Sequence, residues 1–388
     1  MTPGIYIEEV TPNPPPITGL PTNVAGFMGE TLAGPGEPSV VTSFAEFEDL
    51  YGGYLPVSVS GLPFAVAGFF QNGGKRCYIA RVAGDSNYRT ALEQFESIDE
   101  ISIVVAPDYH RVANLELEII DHCTRMRDRV AIFHSRPGSD TAANIREITP
   151  PVDSAFAAFY LPWIAVNDPV NGQASMAPPC GHIAGIYARV DAERGVHKAP
   201  ANEVVRGANS LEFEITEQEH AILNPKGVNC IRQFPGRGIR VWGARTTSTD
   251  PEWKYINIRR YLIYLEQSIE KGTQWVVFEP NSPPLWAKVN RIITDFLLSE
   301  WKMGALMGTK PEHGFFVRVD HTTMTQDDIN NGRLIVVIGV APLKPAEFVI
   351  FRIGQRTAAG KKIPPRILTT LQRLRSTSKT ASATTQKS

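Results

Sequence analysis

Short apolar runs alternate with amphipathic stretches through residues 101–194 of this 388-residue chain. The apolar runs are rich in Val, Ile, Ala and Phe, which is typical of strands buried on both faces. The stretches between them carry apolar residues at helical spacing. We predict strands at residues 101–106, 129–134 and 157–166, and helices at residues 115–127, 142–149 and 182–191. This repeat predicts a parallel sheet covered by helices, with right-handed crossovers.

The segments on either side of this repeat have mixed patterns. Ser43 precedes a short amphipathic stretch, and Glu46 supplies the carboxylate of a capping box. On the N-terminal side we predict strands at residues 22–30 and 75–82, and helices at residues 44–50 and 63–72. On the C-terminal side we predict strands at residues 212–216, 230–234, 239–244, 274–279 and 315–320, and helices at residues 218–223, 254–271 and 285–303. The pattern therefore predicts a multidomain protein of the α/β and α+β classes.

Both ends of the ordered-looking chain carry strand patterns next to proline-rich links. Residues 334–340 form a continuous apolar run, which predicts a strand covered on both faces. Pro342 and Pro345 separate it from a second strand pattern, and prolines at residues 12–16 follow the N-terminal one. Unpaired strand edges need a designated partner, so we predict strand addition to neighbouring copies of the same chain. The two predicted strand arms comprise Gly4, Ile5, Tyr6, Ile7, Glu8, Glu9 and Val10, and Glu347, Phe348, Val349, Ile350, Phe351, Arg352 and Ile353.

The predicted helix at residues 285–303 has two distinct faces. Its apolar residues fall at helical spacing on one face, while Lys288, Arg291, Asp295 and Lys302 collect along another. A charged stripe of this kind is most often only solvated. In a protein built to surround something, the same stripe would be a docking surface. Arg259 and Arg260, on the preceding helix, are the alternative.

Charge and cysteine usage narrow the class of protein. Nine of the 39 Lys and Arg residues lie from Arg352 onward, where there is no Asp or Glu, so an acidic body precedes a basic tail. The tail lacks aromatic residues on which bases could stack, and we interpret it as a disordered, solvated segment that does not bind nucleic acid. Four dispersed cysteines form no Cys-x-x-Cys pair and predict reduced core residues: Cys77, Cys123, Cys180 and Cys230.

No segment has the pattern of a signal peptide or of a membrane-spanning helix. We therefore expect a soluble protein made in the bacterial cytoplasm, without direct membrane insertion.

Polar residues near the predicted parallel sheet raise the possibility of a hydrolase. Asp108, His110, His134 and His182 fall at strand or helix ends. No Gly-x-Ser-x-Gly elbow is present, however, and the nearby serines lack a flanking glycine pattern. These serines are Ser135, Ser139 and Ser154. We therefore interpret the four polar residues as packing and surface residues and predict no catalytic role for them.

Other cofactor patterns also fail. Residues 68–76 superficially resemble a phosphate loop, but Phe69 and Arg76 stand where that motif needs Gly and Ser or Thr. A glycine-capped helix end explains the segment better. No zinc-ligand spacing or dinucleotide fingerprint is present. We predict no cofactor and no metal.

Several segments together resemble the contractile tail sheath family of phages and phage-derived injection systems. The similar segments begin with Pro3-Gly-Ile-Tyr-Ile-Glu-Glu-Val10 and continue through Pro178-Pro-Cys-Gly-His-Ile-Ala-Gly-Ile-Tyr-Ala-Arg189 to Lys198-Ala-Pro-Ala-Asn202. They end with Gln274-Trp-Val-Val-Phe-Glu-Pro-Asn281 and Pro345-Ala-Glu-Phe-Val-Ile-Phe-Arg-Ile-Gly-Gln355. The resemblance covers roughly residues 1–355, and the basic extension after Gln355 departs from the family pattern.

The resemblance implies a subtilisin-like, non-catalytic α/β middle domain and a mixed α/β C-terminal domain that the N-terminal segment completes. Projecting terminal strands would join adjacent subunits. We expect a strand arm at 1–20, an α+β part at 21–95, the middle domain at 96–200, the C-terminal domain at 201–355 and a tail at 356–388. The implied partners are other copies of the chain in stacked, hexameric rings, an inner tube protein, and baseplate and tail-terminator proteins. With an inner tube implied, we predict that it is contacted by Lys288, Arg291, Asp295 and Lys302.

The function implied is a helical sheath that contracts to drive the tube through a target envelope, as a component of a phage tail or a phage-tail-like particle. Head-to-tail strand exchange agrees with this function, because heterologous contacts that do not close propagate as helical arrays. The alternative is an oligomeric α/β hydrolase.

Overall fold

The structure is a computed structural model, and it describes residues 15–84, 87–137 and 140–348. The strands are β1 (Ala25–Gly29), β2 (Ser39–Val41), β3 (Cys77–Arg81), β4 (Ile103–Val105), β5 (Val130–His134), β6 (Ala157–Leu161), β7 (Ile164–Asn167), β8 (Ala174–Ala177), β9 (Glu203–Val204), β10 (Ser210–Leu211), β11 (Val228–Phe234), β12 (Gly238–Trp242), β13 (Phe315–Arg318) and β14 (Val337–Val340). The α-helices are α1 (Phe44–Tyr51), α2 (Leu62–Gln71), α3 (Asn87–Phe95), α4 (Leu115–Met126), α5 (Cys180–Arg194), α6 (Glu217–Leu223), α7 (Ile256–Gly272), α8 (Pro283–Lys302), α9 (Pro311–Gly314) and α10 (Gln326–Asn330).

A nine-stranded sheet forms the centre of the molecule, in the order β2-β3-β1-β4-β5-β6-β11-β12-β9. The six strands from β3 to β11 run parallel, and β2, β12 and β9 add antiparallel edges. The prediction of a parallel sheet is therefore confirmed. A smaller sheet, β10-β7-β8, and a two-stranded ribbon, β13-β14, complete the sheets of the described residues.

Successive side chains of the central strands point to opposite faces of the sheet and contribute to two separate hydrophobic cores. Phe27 and Ile132 belong to the core that contains residues of α1, α2 and α5. Their neighbours Met28 and Phe133 belong to the core on the opposite face, which contains residues of α3 and α4. A strand with both faces covered needs apolar residues at successive positions, which explains the continuous apolar runs of β4 and β5.

A third core lies under α7, α8 and the β13-β14 ribbon. Ile17 is buried in it, and the Leu20 amide donates to Ser268 Oγ of α7 at 3.1 Å. The segment that precedes β1 therefore packs with the C-terminal helices, in agreement with the arrangement that the family resemblance implies.

Four predicted elements are wrong. Residues 142–149 form turns instead of a helix, because Asn144 Oδ1 accepts from the Thr141 amide at 2.8 Å and prolines follow at 150 and 151. Residues 274–279 begin with a 3-10 turn and form no strand. Residues 157–166 divide into β6 and β7, which belong to different sheets. Residues 212–216 are irregular, and the strand β10 ends before them.

The last apolar run is also less buried than predicted. Only Val337–Val340 of residues 334–340 form a strand, and Val337 keeps 41% of its surface exposed. The ribbon has a covered face toward α8 and an exposed face, so the prediction of two covered faces is wrong. Glu347 and Phe348 have irregular backbone, and the remaining residues predicted for both strand arms lie outside the described residues.

The central sheet is continuous across residues 95/96 and 200/201, the predicted domain limits, because β1, β3, β11 and β12 all pair within it. The division of the chain into domains stays a prediction. Within the described ranges, no helix is both long enough and apolar enough to cross a bilayer.

Candidate functional site

Helix α8 presents one apolar and one charged face. It starts after Ser282 with two prolines in its first turn, where missing amide protons cost nothing. Val289, Ile292 and Phe296 are buried in the third core. Arg291, Asp295 and Lys302 lie on the exposed side, as their spacing predicts. The sequence pattern therefore placed these side chains on one surface, while their contact with a tube stays a prediction.

Lys288 differs from the other three residues. It is half-buried, and its Nζ lies 5.5 Å from the centroid of the Trp275 ring, within the range of a cation–π interaction. The stem of Lys288 is therefore held at the edge of the charged face by the segment that precedes α8. Arg291 and Asp295 line a groove of about 610 Å³ together with Ile17 and Phe296.

Helices α7 and α8 are joined by a buried carboxylate. The hydroxyls of Tyr261 and Tyr264 donate to Glu300 Oε2 and Oε1 at 3.1 and 2.9 Å. Burial raises the pKa of Glu300, although the two hydroxyl donors oppose that shift. These bonds fix the rotation of α8, so its charged face has a defined direction.

The alternative tube-contact residues are buried. Arg259 and Arg260 are only 7% and 3% exposed. The Arg259 guanidinium lies 3.4 Å from the centroid of the Trp253 ring, and burial lowers the pKa of Arg259 to about 10. Buried side chains at these positions of α7 favour α8 as the candidate, and the tube contact itself stays a prediction.

The β13-β14 ribbon is small and incompletely covered. Phe316 pairs with Gly339 and Arg318 with Val337, which places Phe316 and Val337 on the exposed face. In the described part of the chain neither strand pairs with a third one. Asn290 Nδ2 of α8 donates to the Val317 carbonyl at 3.1 Å. The two strands therefore form a sheet of their own among the described residues, next to α8.

The loop before α8 contains a residue that sequence reasoning missed. Phe278 has φ 71° and is fully exposed, although non-glycine residues rarely take this left-handed conformation. Four apolar residues in a row predicted a strand at this place. Trp275 and Val276 pack against the third core while Val277 and Phe278 face solvent, which is not the period of two of a strand.

The four polar residues considered for hydrolysis do not form one site. Asp108 Oδ2 accepts from the Gly61 amide at 2.8 Å, and its Oδ1 lies 3.3 Å from an Arg111 nitrogen. Burial raises the pKa of Asp108 to about 6. His182 instead lies against Gly68 of α2. Asp108 is thus a structural acceptor in the loop after β4.

His110 and His134 do come together, in an aromatic cluster with Tyr109 and Trp163. The ring nitrogens of His134 lie 2.9 Å from the Ser135 carbonyl and 2.8 Å from the Pro107 carbonyl. Burial lowers the pKa of His134 to about 4 and that of His110 to about 3. Each ring nitrogen of His134 faces a backbone carbonyl, so neither nitrogen contacts a serine hydroxyl as a general base would.

The serines are not activated either. Ser154 Oγ accepts from the Phe156 amide, and Ser135 Oγ is buried without a hydrogen-bond partner. Ser139 lies outside the described residues. Among the described residues, His110, His134 and His182 form no hydrogen bond with a hydroxyl group. Over the described ranges, no cluster of three or more His, Cys, Asp or Glu residues could hold a metal ion. The four cysteines are buried and free.

Comparisons with known proteins identify the family. Residues 82–247 match the phage tail sheath protein central domain, and residues 248–356 match the phage tail sheath C-terminal domain. A putative prophage major tail sheath protein of Pseudomonas aeruginosa (strain UCBPP-PA14) is 25% identical over 199 residues, which cover 50% of this chain and 49% of that relative. The chain spans about half or less of the length of the curated relatives that it matches.

Solved structures match over nearly the whole chain. The anti-feeding prophage helical sheath in its contracted state is 33% identical with a TM-score of 0.78, and the match covers 91% of this chain and 99% of that one. The sheath complex of an extracellular contractile injection system, PVC, in its contracted state is 29% identical with a TM-score of 0.80, covering 92% and 98%. Two matched family domains over residues 82–356 and this near full-length similarity show that the chain belongs to the contractile tail sheath family.

Proposed function

We propose that this chain is the subunit of a contractile sheath, which polymerises helically around an inner tube and contracts to drive that tube through a target envelope. The observation that carries the proposal is the similarity to sheath subunits in the contracted state over more than nine-tenths of the chain. No nucleotide site is required if the extended lattice is metastable, because contraction then releases energy stored during assembly.

The exposed face of α8 is the proposed tube contact. Lys288, Arg291, Asp295 and Lys302 project from a helix whose other face is anchored in the third core, and Glu300 holds its rotation. Exposed ion pairs contribute only about 0–1 kcal/mol each. Each contact is repeated for every subunit along the tube, so the total binding free energy between sheath and tube can be large. Each individual contact remains weak enough to break during contraction.

The terminal arms are the proposed links between copies. The β13-β14 ribbon has two strands among the described residues, and in this proposal its edges accept further strands. Strand addition gives directional contacts without a large apolar interface. Such links can survive while whole subunits move. We place residues 4–10 and 347–353 in this role because their strand patterns flank stiff proline segments.

The central α/β part serves as a non-catalytic spacer in this proposal, and its subtilisin-like character and the domain limits given above belong to the same proposal. A match to the anti-feeding prophage baseplate, at 32% identity and a TM-score of 0.75, supports contact with baseplate proteins at one end. A terminator protein would close the other end of a phage tail or a phage-tail-like particle.

Electron microscopy of the full-length chain, expressed with and without its tube protein, tests the proposal. We expect striated tubes in both cases, with the extended form only where the inner tube is present. The proposal would be overturned if the chain formed only discrete small oligomers at concentrations well above those at which other sheath proteins polymerise.

A further inference from the structure

The hairpin formed by β11 and β12 carries an unusual surface. Arg232 pairs with Arg240 and Phe234 with Gly238, so the arginines and aromatic rings alternate on one face. Trp242, opposite Cys230, extends the same face. The Arg232 guanidinium lies 5.4 Å from the centroid of the Phe234 ring, and the Phe234 and Trp242 rings are 4.5 Å apart. We call this surface the arginine face and include Arg237 of the turn, 5.4 Å from the Phe234 centroid.

Asn202 positions two of the arginines. Its side-chain oxygen accepts from Arg237 Nη2 at 2.7 Å, and its carbonyl accepts from Arg240 Nη1 at 2.6 Å. Asn202 itself has φ 60°, a conformation that Asn tolerates better than most residues. This residue ends the Lys198-Ala-Pro-Ala-Asn202 motif. The motif therefore helps to orient guanidinium groups at the surface.

The arginines keep most of their donors available. Arg232 and Arg237 each use one N–H, and Arg240 uses two, to reach carbonyl or amide oxygens. A guanidinium has five N–H donors, so at least three remain on each. Across the described ranges, none of these arginines lies within ion-pair distance of a carboxylate. Guanidinium groups that are stacked and oriented in this way suit carboxylate partners.

The opposite end of the central sheet is acidic. Four of the eight residues 93–100 are Glu or Asp, and none is Lys or Arg. Two of them, Asp99 and Glu100, border a groove of about 510 Å³ together with Glu37 and Tyr78 of β3. Arg125, Arg76 and Lys271 pair with Glu96, Glu100 and Asp99. Glu37 and Glu93 form no ion pair with any described residue. We call Glu37 and residues 93–100 the acidic end.

Within one copy, the two surfaces cannot meet. Six strand spacings separate β3 from β12, and at about 4.8 Å each these span roughly 29 Å of an open sheet. We propose that the arginine face of one copy docks on the acidic end of the next copy in the sheath. The inference rests on the proposed polymer and adds a heterologous, charge-complementary contact between central sheets.

Paired charge reversal tests the contact in the full-length chain. Arg237→Glu/Arg240→Glu places acid against acid, and Glu37→Lys/Glu93→Lys places base against base. We expect either variant alone to raise the critical concentration for tube formation at least tenfold, as measured by sedimentation and electron microscopy. An equimolar mixture restores every contact if the variants alternate, so its critical concentration should return to within about threefold of that of the wild type.

Lys310→Glu, at an exposed position in the C-terminal part, is a control that changes charge on another surface and should assemble normally. Circular dichroism and thermal melting establish that each variant is folded. Arg237→Glu alone replaces the double variant if the latter does not fold. Normal assembly of the single-surface variants, or no recovery in the mixture, would overturn the inference. Failure of the wild-type chain to form tubes would instead count against the proposed function.

Discussion

Arg260 of α7 makes a buried bidentate ion pair with Asp191 of α5, with nitrogen–oxygen distances of 3.0 and 2.5 Å. Both side chains are less than 5% exposed. Arg260 also donates to the Thr22 carbonyl at 2.8 Å, and Thr22 Oγ1 donates to Asp191 Oδ2 at 2.6 Å. One guanidinium therefore joins three parts of the chain: the segment before β1, the central helix and the C-terminal helix.

Replacing Arg260 by Met should destabilise the subunit by about 3–5 kcal/mol, because the Asp191 carboxylate would stay buried without its partner. The free energy of unfolding, measured with urea on unpolymerised protein, checks the value. The double variant Asp191→Leu/Arg260→Met should recover part of the loss, since no unpaired charge remains. If the single variant is as stable as the wild type, the ion pair does not stabilise the packing of these segments.

Reversing charge on α8 should remove the grip on the tube. We expect Lys288→Glu/Arg291→Glu to yield only contracted, tube-free sheaths, and raised salt during wild-type assembly to have a similar effect. Lys288→Arg/Arg291→Lys keeps the charge and serves as the matched control. Electron microscopy counts extended and contracted particles, and extended, tube-filled particles in normal number would contradict the tube contact.

Removing either strand arm should abolish polymerisation while the subunit stays folded. The deletions are residues 1–10 and residues 346–355, and neither removes a described residue of the three hydrophobic cores. Sedimentation reports polymer, and thermal melting reports the fold. Deleting only the basic tail, residues 356–388, is the control. Tubes formed at wild-type yield by both arm deletions would rule out strand exchange.

Serine-directed chemistry should be absent. A fluorophosphonate probe is expected not to label the chain, because Ser135 Oγ is buried and neither His134 nor His182 bonds to a hydroxyl of a described residue. Mass spectrometry of intact protein gives the extent of modification, with a known serine hydrolase as positive control. Stoichiometric labelling would contradict this prediction and support the hydrolase alternative.

Acid should destabilise the free subunit below about pH 6.5. Burial lowers the pKa of His122, His134 and His182 to about 4 and that of His110 to about 3, below the ordinary value of 6.5. As pH falls from 6.5 to 4, the unfolded chain binds protons that the folded chain does not. The free energy of unfolding therefore falls, by up to about 1.4 kcal/mol per pH unit for each histidine.

Asp108 and Glu300 oppose this trend, because their pKa values are raised and they bind protons earlier in the folded state. Burial also lowers the pKa of His197 and raises that of Glu212. With five histidines against three carboxyls, the net effect is destabilising. Urea unfolding at pH 6.5, 5.5 and 4.5 measures the slope, and His122→Gln should reduce it. A free energy that is constant over this range would contradict the prediction.

Where local patterns and tertiary packing agree, the fold was predictable. The Val- and Ile-rich runs of β4 and β5 match strands that are covered on both faces. The apolar periodicity of α8 predicted its bounds to within two residues. Ile145 and Ile148, which are three residues apart, predicted a helix. Both side chains are buried, but the backbone that carries them forms successive turns. Periodicity reports burial, and burial does not require regular backbone.

Parts of the candidate site were beyond local patterns. The alternation of Arg232, Phe234, Arg240 and Trp242 was present in the sequence, but its meaning depends on pairing β11 with β12 and on Asn202, more than thirty residues away. The burial of Arg259 and Arg260 likewise follows from Trp253 and Asp191, which no pattern within α7 reveals. Contacts between distant segments decided these features.

The two-stranded β13-β14 ribbon has a consequence for when assembly starts. Two strands alone are marginally stable in water, and this ribbon keeps Phe316 and Val337 exposed. If the added strands come from other copies, two free subunits that meet form few strand pairs and gain little stability. A subunit that binds to a formed ring completes its strand pairing and gains more. Elongation at an existing end would then be fast, and nucleation in free solution would be rare. The component that supplies the first ring would therefore determine where polymers form and how long they become.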